Sequence, residues 1–176
     1  MHDSNVLGAW LLSGADRIRE AVASVGVAER DLAALVLIDS HPGRGIDWLY
    51  RRLGLTQSGS VRLIDRLATL GLVERSGAGG RGGVRLELTA AGRRLLADGL
   101  RARDRAIAEL TDAFELDETE RLTALAHKAL RVRERQRLDA DIACRLCDWP
   151  GCGSRCPVDE SVDESVDESV DESEVP

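Results

Sequence analysis

Apolar residues recur along this chain with a helical period over most of its length and alternate over one short stretch only. Val6, Trp10, Leu11, Ile18 and Val22 trace a broken stripe that predicts a helix over Val6–Val25. Asp31–Ser40 contains the apolar run AALVLI, which reads as scaffold and is far too short to cross a membrane. His41-Pro42-Gly43 breaks the chain. A short helix over Ile46–Leu53 follows, with Gly54 making the turn out of it. Thr56 is placed as an N-cap for the next helix. On its wheel Val61, Ile64, Leu67 and Ala68 share one arc, while Ser58, Arg62, Asp65, Arg66 and Thr69 share the opposite one. That helix stops at Gly71, and alternation takes over in LVER and VRLEL, where Val84, Leu86 and Leu88 face one way and Arg85 and Glu87 the other. The loop between them, SGAGGRGG, holds no apolar residue larger than alanine and exposes Arg81, so it reads as a hairpin tip. Helical spacing returns over Ala90–Phe114, and again from Asp117 to about Ala143. In that last stretch Leu122, Leu125, Ala129 and Leu130 recur behind an Asp117-x-x-Glu120 capping box.

These elements predict a mainly α chain with a small β-hairpin wing. A short positioning helix, a turn, a helix with a polar outer face and an arginine-tipped hairpin make a winged helix-turn-helix, with one helix for the major groove and one wing for the minor groove. The segment resembles the MarR-type transcription regulators, and the resemblance runs from about Ala9 to Ala143. Leu88, Thr89 and Gly92 match that family's Leu-Thr-x-x-Gly step, which ends the wing and opens a long helix. Where the family's wing carries Asp-Arg-Arg, this chain has Gly80, Arg81 and Gly82, so one arginine is kept and the aspartate that steadies it is missing. The resemblance implies a sequence-specific regulator of double-stranded DNA, a repressor by expectation, whose first helix and last two helices interlock into a homodimer. A two-fold dimer places two recognition helices one DNA turn apart, roughly 34 Å, on a pseudo-palindromic operator. Gln57, Ser58, Ser60, Arg62 and Arg66 are the expected contacts of each recognition helix, and Arg81 the expected minor-groove contact.

Charge sharpens this picture once it is located. The net charge of -7 is unfavourable for a DNA binder, but nine of the 31 acidic residues follow Cys156, in four successive Val-Asp-Glu-Ser units. The rest of the chain holds 22 acidic against 24 basic residues, a mildly basic body. The tail from Val158 onward reads as a disordered polyanion, either the inert product of repeat expansion or a competitor of DNA phosphates for the basic surface. All but one of the basic residues are arginine, which suits phosphate and guanine contacts and also marks a GC-rich genome. No secretory leader is recognisable at the start, and a cytoplasmic location is expected.

The feature outside the family pattern is CRLCDWPGCGSRCP. All four cysteines fall here, as C-x2-C-x4-C-x3-C at Cys144, Cys147, Cys152 and Cys156. Four thiols so close, around Pro150, Gly151 and Gly153, predict a loop bent around a cofactor. An iron-sulfur cluster takes four thiolates, and Cys156-Pro157 is similar to the Cys-Pro that closes bacterial ferredoxin motifs; the x2 and x3 gaps match that motif and the x4 gap is two residues longer. Zinc (Zn2+) takes four thiolates as readily and is the alternative, as a purely structural site. Metal-free thiols or disulfides stand behind both, since a reducing cytoplasm disfavours disulfides. Trp149 is expected to shield one side of the loop, and His41 to be an ordinary loop residue. Three parts follow: a DNA-binding and dimerisation domain over 1–143, a cofactor loop over 144–157 and an acidic tail over 158–176. The loop is expected where the dimer helices end, so that losing its cofactor alters the spacing of the two reading heads. Two other uses stay open, a regulator answering to a small-molecule ligand of unknown identity and a winged-helix protein-interaction module. No enzyme is expected: Cys144-x-x-Cys147 lacks the helix start and βαβ setting of thiol-disulfide chemistry, and no paired-carboxylate cleft or phosphate loop is recognisable.

Overall fold

Seven consecutive apolar residues, Leu32–Ile38, set the centre of the fold. All are buried within α2 (Glu29–Ser40), which is wrapped by other elements on every side. The computed structural model describes residues 2–77 and 84–163. α1 (His2–Ser24) packs along α5 (Ala90–Thr111), and α5 crosses α2 so closely that a Cβ on Gly99 would stand 2.5 Å from Leu32 Cδ1. α3 (Ile46–Arg52) and α4 (Gln57–Thr69) form the helix-turn-helix, with Gly54 in the left-handed region at φ 61° in the turn between them. Leu49, Leu53, Leu63, Ile64 and Leu67 close its inner side onto α2.

The wing is the antiparallel pair β1 (Val73–Ser76) and β2 (Arg85–Leu88), with Val73 opposite Leu88 and Ser76 opposite Arg85. Leu86 and Leu88 point into the core, while Val84, expected beside them, stays exposed. Thr89 caps α5 as the Leu-Thr-x-x-Gly step predicts: its hydroxyl accepts from Gly92 N at 3.0 Å and donates to Gly71 O at 2.6 Å. Gly92 must be glycine, because a Cβ there would lie 2.1 Å from the Leu72 carbonyl oxygen. Residues 78–83, and with them Gly80, Arg81 and Gly82, lie outside the described residues.

Two expectations about the C-terminal third need correcting. The helix expected from Asp117 to Ala143 is two: α6 (Leu116–Val132), whose capping box is Glu115 with Glu118 rather than Asp117 with Glu120, and α7 (Arg137–Ala143). The chain is extended at Arg133, and the Arg135 guanidinium binds the carbonyls of Leu130 and Arg133, capping the end of α6. The tail, expected to separate at Val158, stays folded to Asp163. Val158 is buried, Asp159–Ser161 forms a 3-10 turn, and the Arg135 backbone bonds both Ser161 and Asp163. Residues 164–176 lie outside the described residues. No helix among the described residues is long and apolar enough to cross a membrane.

Candidate functional site

The outer face of α4 is built by its amphipathic sequence. Thr56 Oγ1 accepts from Gly59 N at 3.1 Å, as its N-cap position predicts, and the inner side fills with Leu63, Ile64 and Leu67. Outward stand Gln57, Ser58, Val61, Arg62, Asp65, Arg66 and Thr69. Among the expected DNA contacts, Ser60 is misplaced: it is 0% exposed, on the core side of the helix, and its hydroxyl finds no hydrogen-bond partner. Four residues separate Ser60 from Ile64, one helical turn, so a small polar residue was carried inward by the stripe it shares. Gln57 donates to Asp47 Oδ1 of α3 at 3.1 Å, and Ser58 lies 3.3 Å from the Thr56 hydroxyl. Arg66 pairs with Asp31 of α2, which turns its guanidinium back towards the body. Arg62 is exposed and makes no hydrogen bond or ion pair to any described residue. Val61, read as core from the sequence, is exposed on the same face.

The cysteine loop is the second site. α7 ends at Cys144, one turn α8 (Trp149–Cys152) follows, and a 3-10 turn over Gly153–Arg155 leads to Cys156. All four cysteines, which the sequence spacing grouped, border a single cavity of about 70 Å³, its wall completed by Arg137, Ala140, Trp149, Gly153, Val158 and Asp159. Cys144 is buried, Cys147 and Cys156 are half-buried and Cys152 is exposed. No three His, Cys, Asp or Glu side chains among the described residues are set to hold one single metal ion. The Cys144 thiol donates to Cys147, which, with the nearby Arg103 and Arg145 guanidinium groups, outweighs burial and brings Cys147 down to about 7. The same bond, then burial, pushes Cys144 up, and burial raises Cys152. Lowered in this way, Cys147 is more readily the thiolate, the form in which sulfur binds metal.

What surrounds this loop was not foreseen. It does not stand free at the end of the dimer helices but is docked on the helix-turn-helix lobe. Asp141 of α7, 0% exposed, accepts from Arg52 Nε of α3 at 2.6 Å. Arg145 reaches Glu29 at the start of α2 at 3.1 Å, and Arg103 of α5 donates to the Leu146 carbonyl. Trp149 donates its Nε1–H to Cys144 O at 3.1 Å and sets its ring edge-on to His41, centroids 4.7 Å apart. His41 in turn stacks on Trp48 of α3 at 4.6 Å, and Arg52 covers the other part of that indole at 3.9 Å. His41 is therefore no ordinary loop residue but the middle of an aromatic stack. Burial holds its imidazole below the usual range despite the Asp141 carboxylate, whose Oδ1 lies 3.9 Å from Nε2. A histidine next to Pro-Gly gives no hint of this, since Trp149 is distant in sequence and Trp48 lies across the break in the next helix.

Residues 25–82 match the model of the MarR family, a span that covers α2, both helices of the helix-turn-helix and β1. No curated protein sequence matches the chain. Among solved structures, the chain is similar to the YusO protein of Bacillus subtilis, with 19% identity and a TM-score of 0.65 over 75% of this chain and 94% of that one. It is similar to wild-type apo MarR of E. coli, with 21% identity and a TM-score of 0.61 over 72% and 96% of the two chains. It is also similar to the transcriptional repressor CouR bound to a 23-mer DNA duplex, with 26% identity and a TM-score of 0.57 over 72% and 90%. The helix-turn-helix and the wing strands agree with these neighbours in fold, so the chain carries a winged helix-turn-helix, and its span over residues 25–82 is similar to the MarR family.

Proposed function

We propose that this protein is a homodimeric transcriptional regulator of repressor type. It binds a pseudo-palindromic operator in double-stranded DNA and answers to iron or redox state through a cofactor on Cys144, Cys147, Cys152 and Cys156. The observation that carries the DNA-binding part is the outer face of α4, where Gln57, Ser58, Val61 and Arg62 stand exposed on a helix held rigidly from behind. Arg62 is the foremost base-edge candidate, free to present its fork of donors to guanine, and Val61 offers an apolar surface to a thymine methyl. Arg66 serves less directly, because it must leave Asp31 first. The DNA-bound state of CouR supports the same use of the lobe. Arg62→Ala should weaken operator binding by about 1–3 kcal/mol in an electrophoretic shift assay, with little change on random DNA. Equal operator binding by that variant would exclude Arg62 from readout.

The cofactor reading rests on four cysteines around one cavity. A space of about 70 Å³ is several times the roughly 10–15 Å³ that one water occupies by the same measure, so it suits a cluster of several atoms better than a single ion. This favours an iron-sulfur cluster over zinc. Absorbance and metal content of protein purified without oxygen test the choice: broad visible absorbance with iron and sulfide is expected, whereas a colourless protein with about one zinc per chain makes the loop a structural staple. One observation favours a second reading, ligand control: a cleft of about 510 Å³ between α1 and α5, lined by Arg17, Glu20, Ser24, Arg105 and Glu109.

A further inference from the structure

Ligand and contact residues alternate along the cysteine segment. Asp141 lies one helical turn before Cys144, Leu146 precedes Cys147, and Trp149 stands between Cys147 and Cys152. Each of these three residues is tied to the body of the domain, Asp141 through Arg52 of α3, Leu146 through Arg103 of α5 and Trp149 through His41 at the end of α2. Reshaping the loop around its sulfurs therefore moves groups whose partners lie in α3, α5 and the end of α2. The tie to α3 has the least slack. Asp141 is buried and its hydrogen-bonded charge partner is Arg52 at 2.6 Å, Arg137 and His41 standing 3.9 Å from its other oxygen, and Arg52 also covers Trp48. From α3 the connection to the reading surface is one bond long, from Asp47 to Gln57 at the start of α4.

We propose that the occupancy of the cysteine site is transmitted within one protomer to its own helix-turn-helix, through a clasp made of the Trp149–His41–Trp48 stack and the Asp141–Arg52 pair. This rests on the cofactor reading above and replaces the route through dimer spacing. With the cofactor bound, Cys144 and Cys147 fix the end of α7 and hold Asp141 and Trp149 against α3. Without it, the loop loosens, the carboxylate gains access to water, and α3 loses both its ionic and its aromatic support. Docked and released forms of this clasp would be the two states that coupling between two sites requires.

The test compares backbone hydrogen exchange of the full chain in two states, reconstituted anaerobically with ferrous iron and sulfide, and stripped with a chelator. The expected result is a tenfold or greater faster exchange in 46–69 on stripping, with α1 and α6 unchanged. His41→Ala, which touches neither the cysteines nor the outer face of α4, is the second arm. It should keep the visible spectrum of the reconstituted wild type while 46–69 exchange alike in both states. Faster exchange confined to 137–163, or appearing in α1 and α6 instead, would overturn the clasp and leave the cofactor reading standing. A difference of wild-type size in His41→Ala would overturn it too. Failure of the wild type to take up iron and sulfide would remove the cofactor reading, and the clasp with it.

Discussion

At the scale of single residues, the polar groups that turned inward define the molecule. Asp141 and Ser60 are the two fully buried polar side chains with an atom lacking a hydrogen bond among the described residues, and they differ in kind. Asp141 is buried and gains most from Arg52 at 2.6 Å, with Arg137 and His41 farther off at 3.9 Å, so removing Arg52 would leave its charge poorly compensated and destabilise the fold by about 3 kcal/mol. Ser60 gains nothing from its hydroxyl. Packed against the core side of α4 with no partner for Oγ, it carries the desolvation cost of a polar group. Ser60→Ala should therefore leave operator affinity unchanged and raise stability by about 1 kcal/mol in a urea titration, since alanine also has the higher helix propensity. A loss of operator affinity would show that Ser60 reaches DNA after all. Gly92 marks the opposite constraint, a place where no side chain fits: its Cβ position is taken by the Leu72 carbonyl, and that contact fixes the angle at which the wing feeds into α5.

At the scale of elements, the first Val-Asp-Glu-Ser unit is a structural part, and so are Val162 and Asp163, which open the second and meet the Arg135 backbone. Val158 is buried in a small second core with Ala140 and Cys144, Asp159 pairs with Arg137 at 2.7 Å, and Glu160 pairs with Arg131 at 2.6 Å. Ending the chain after Asp163 should leave thermal unfolding unchanged. Ending it after Pro157 should cost about 2 kcal/mol, most of it from the lost burial of Val158, because exposed ion pairs contribute little. Equal melting of the two truncated chains would return the tail to the independent polyanion its composition suggests. The same contacts explain what periodicity revealed and what it concealed. The Thr56 cap, the inward Ile64 and Leu67 of α4 and the grouping of the cysteines are local patterns and were legible, whereas the wheel put Val61 inside and left out Leu63. The break between α6 and α7 was not, because RVRERQR is made of residues that favour helix; the Arg135–Ser161 pairing overrides that preference from outside the segment. The docking of the cysteine loop was hidden for the same reason, since Trp149, His41 and Trp48 meet only in the folded chain.

At the scale of the whole molecule, a single chain leaves most of the apolar surface of its longest C-terminal helix uncovered, only the end near Leu130 and Arg131 meeting the 158–161 turn. α6 has no buried residue, and Leu116, Leu125 and Val132 are 78%, 64% and 77% exposed; on α1, Val6, Leu7, Leu11 and Leu12 are also exposed. Apolar surface of this extent on two long helices is expected to be covered by a second copy of the chain. Leu125→Arg places a charge in the middle of α6 while touching no core residue, so it should yield folded monomers in sedimentation analysis. A monomer engages one half-site at a time. Its operator affinity should fall by about 100-fold or more through lost bivalency, and the slope of log affinity against log salt should drop to about half, because half of the phosphate contacts are gone. Cofactor content should be unaffected, because the cysteine loop and every residue of the clasp belong to one chain. That last outcome would separate two proposed levels: dimerisation, which would set how many heads read DNA, and the loop, which would set how firmly each head is held. A Leu125→Arg protein that sediments as a dimer would move the interface away from α6, and one that loses its cofactor would show that the two levels are not independent.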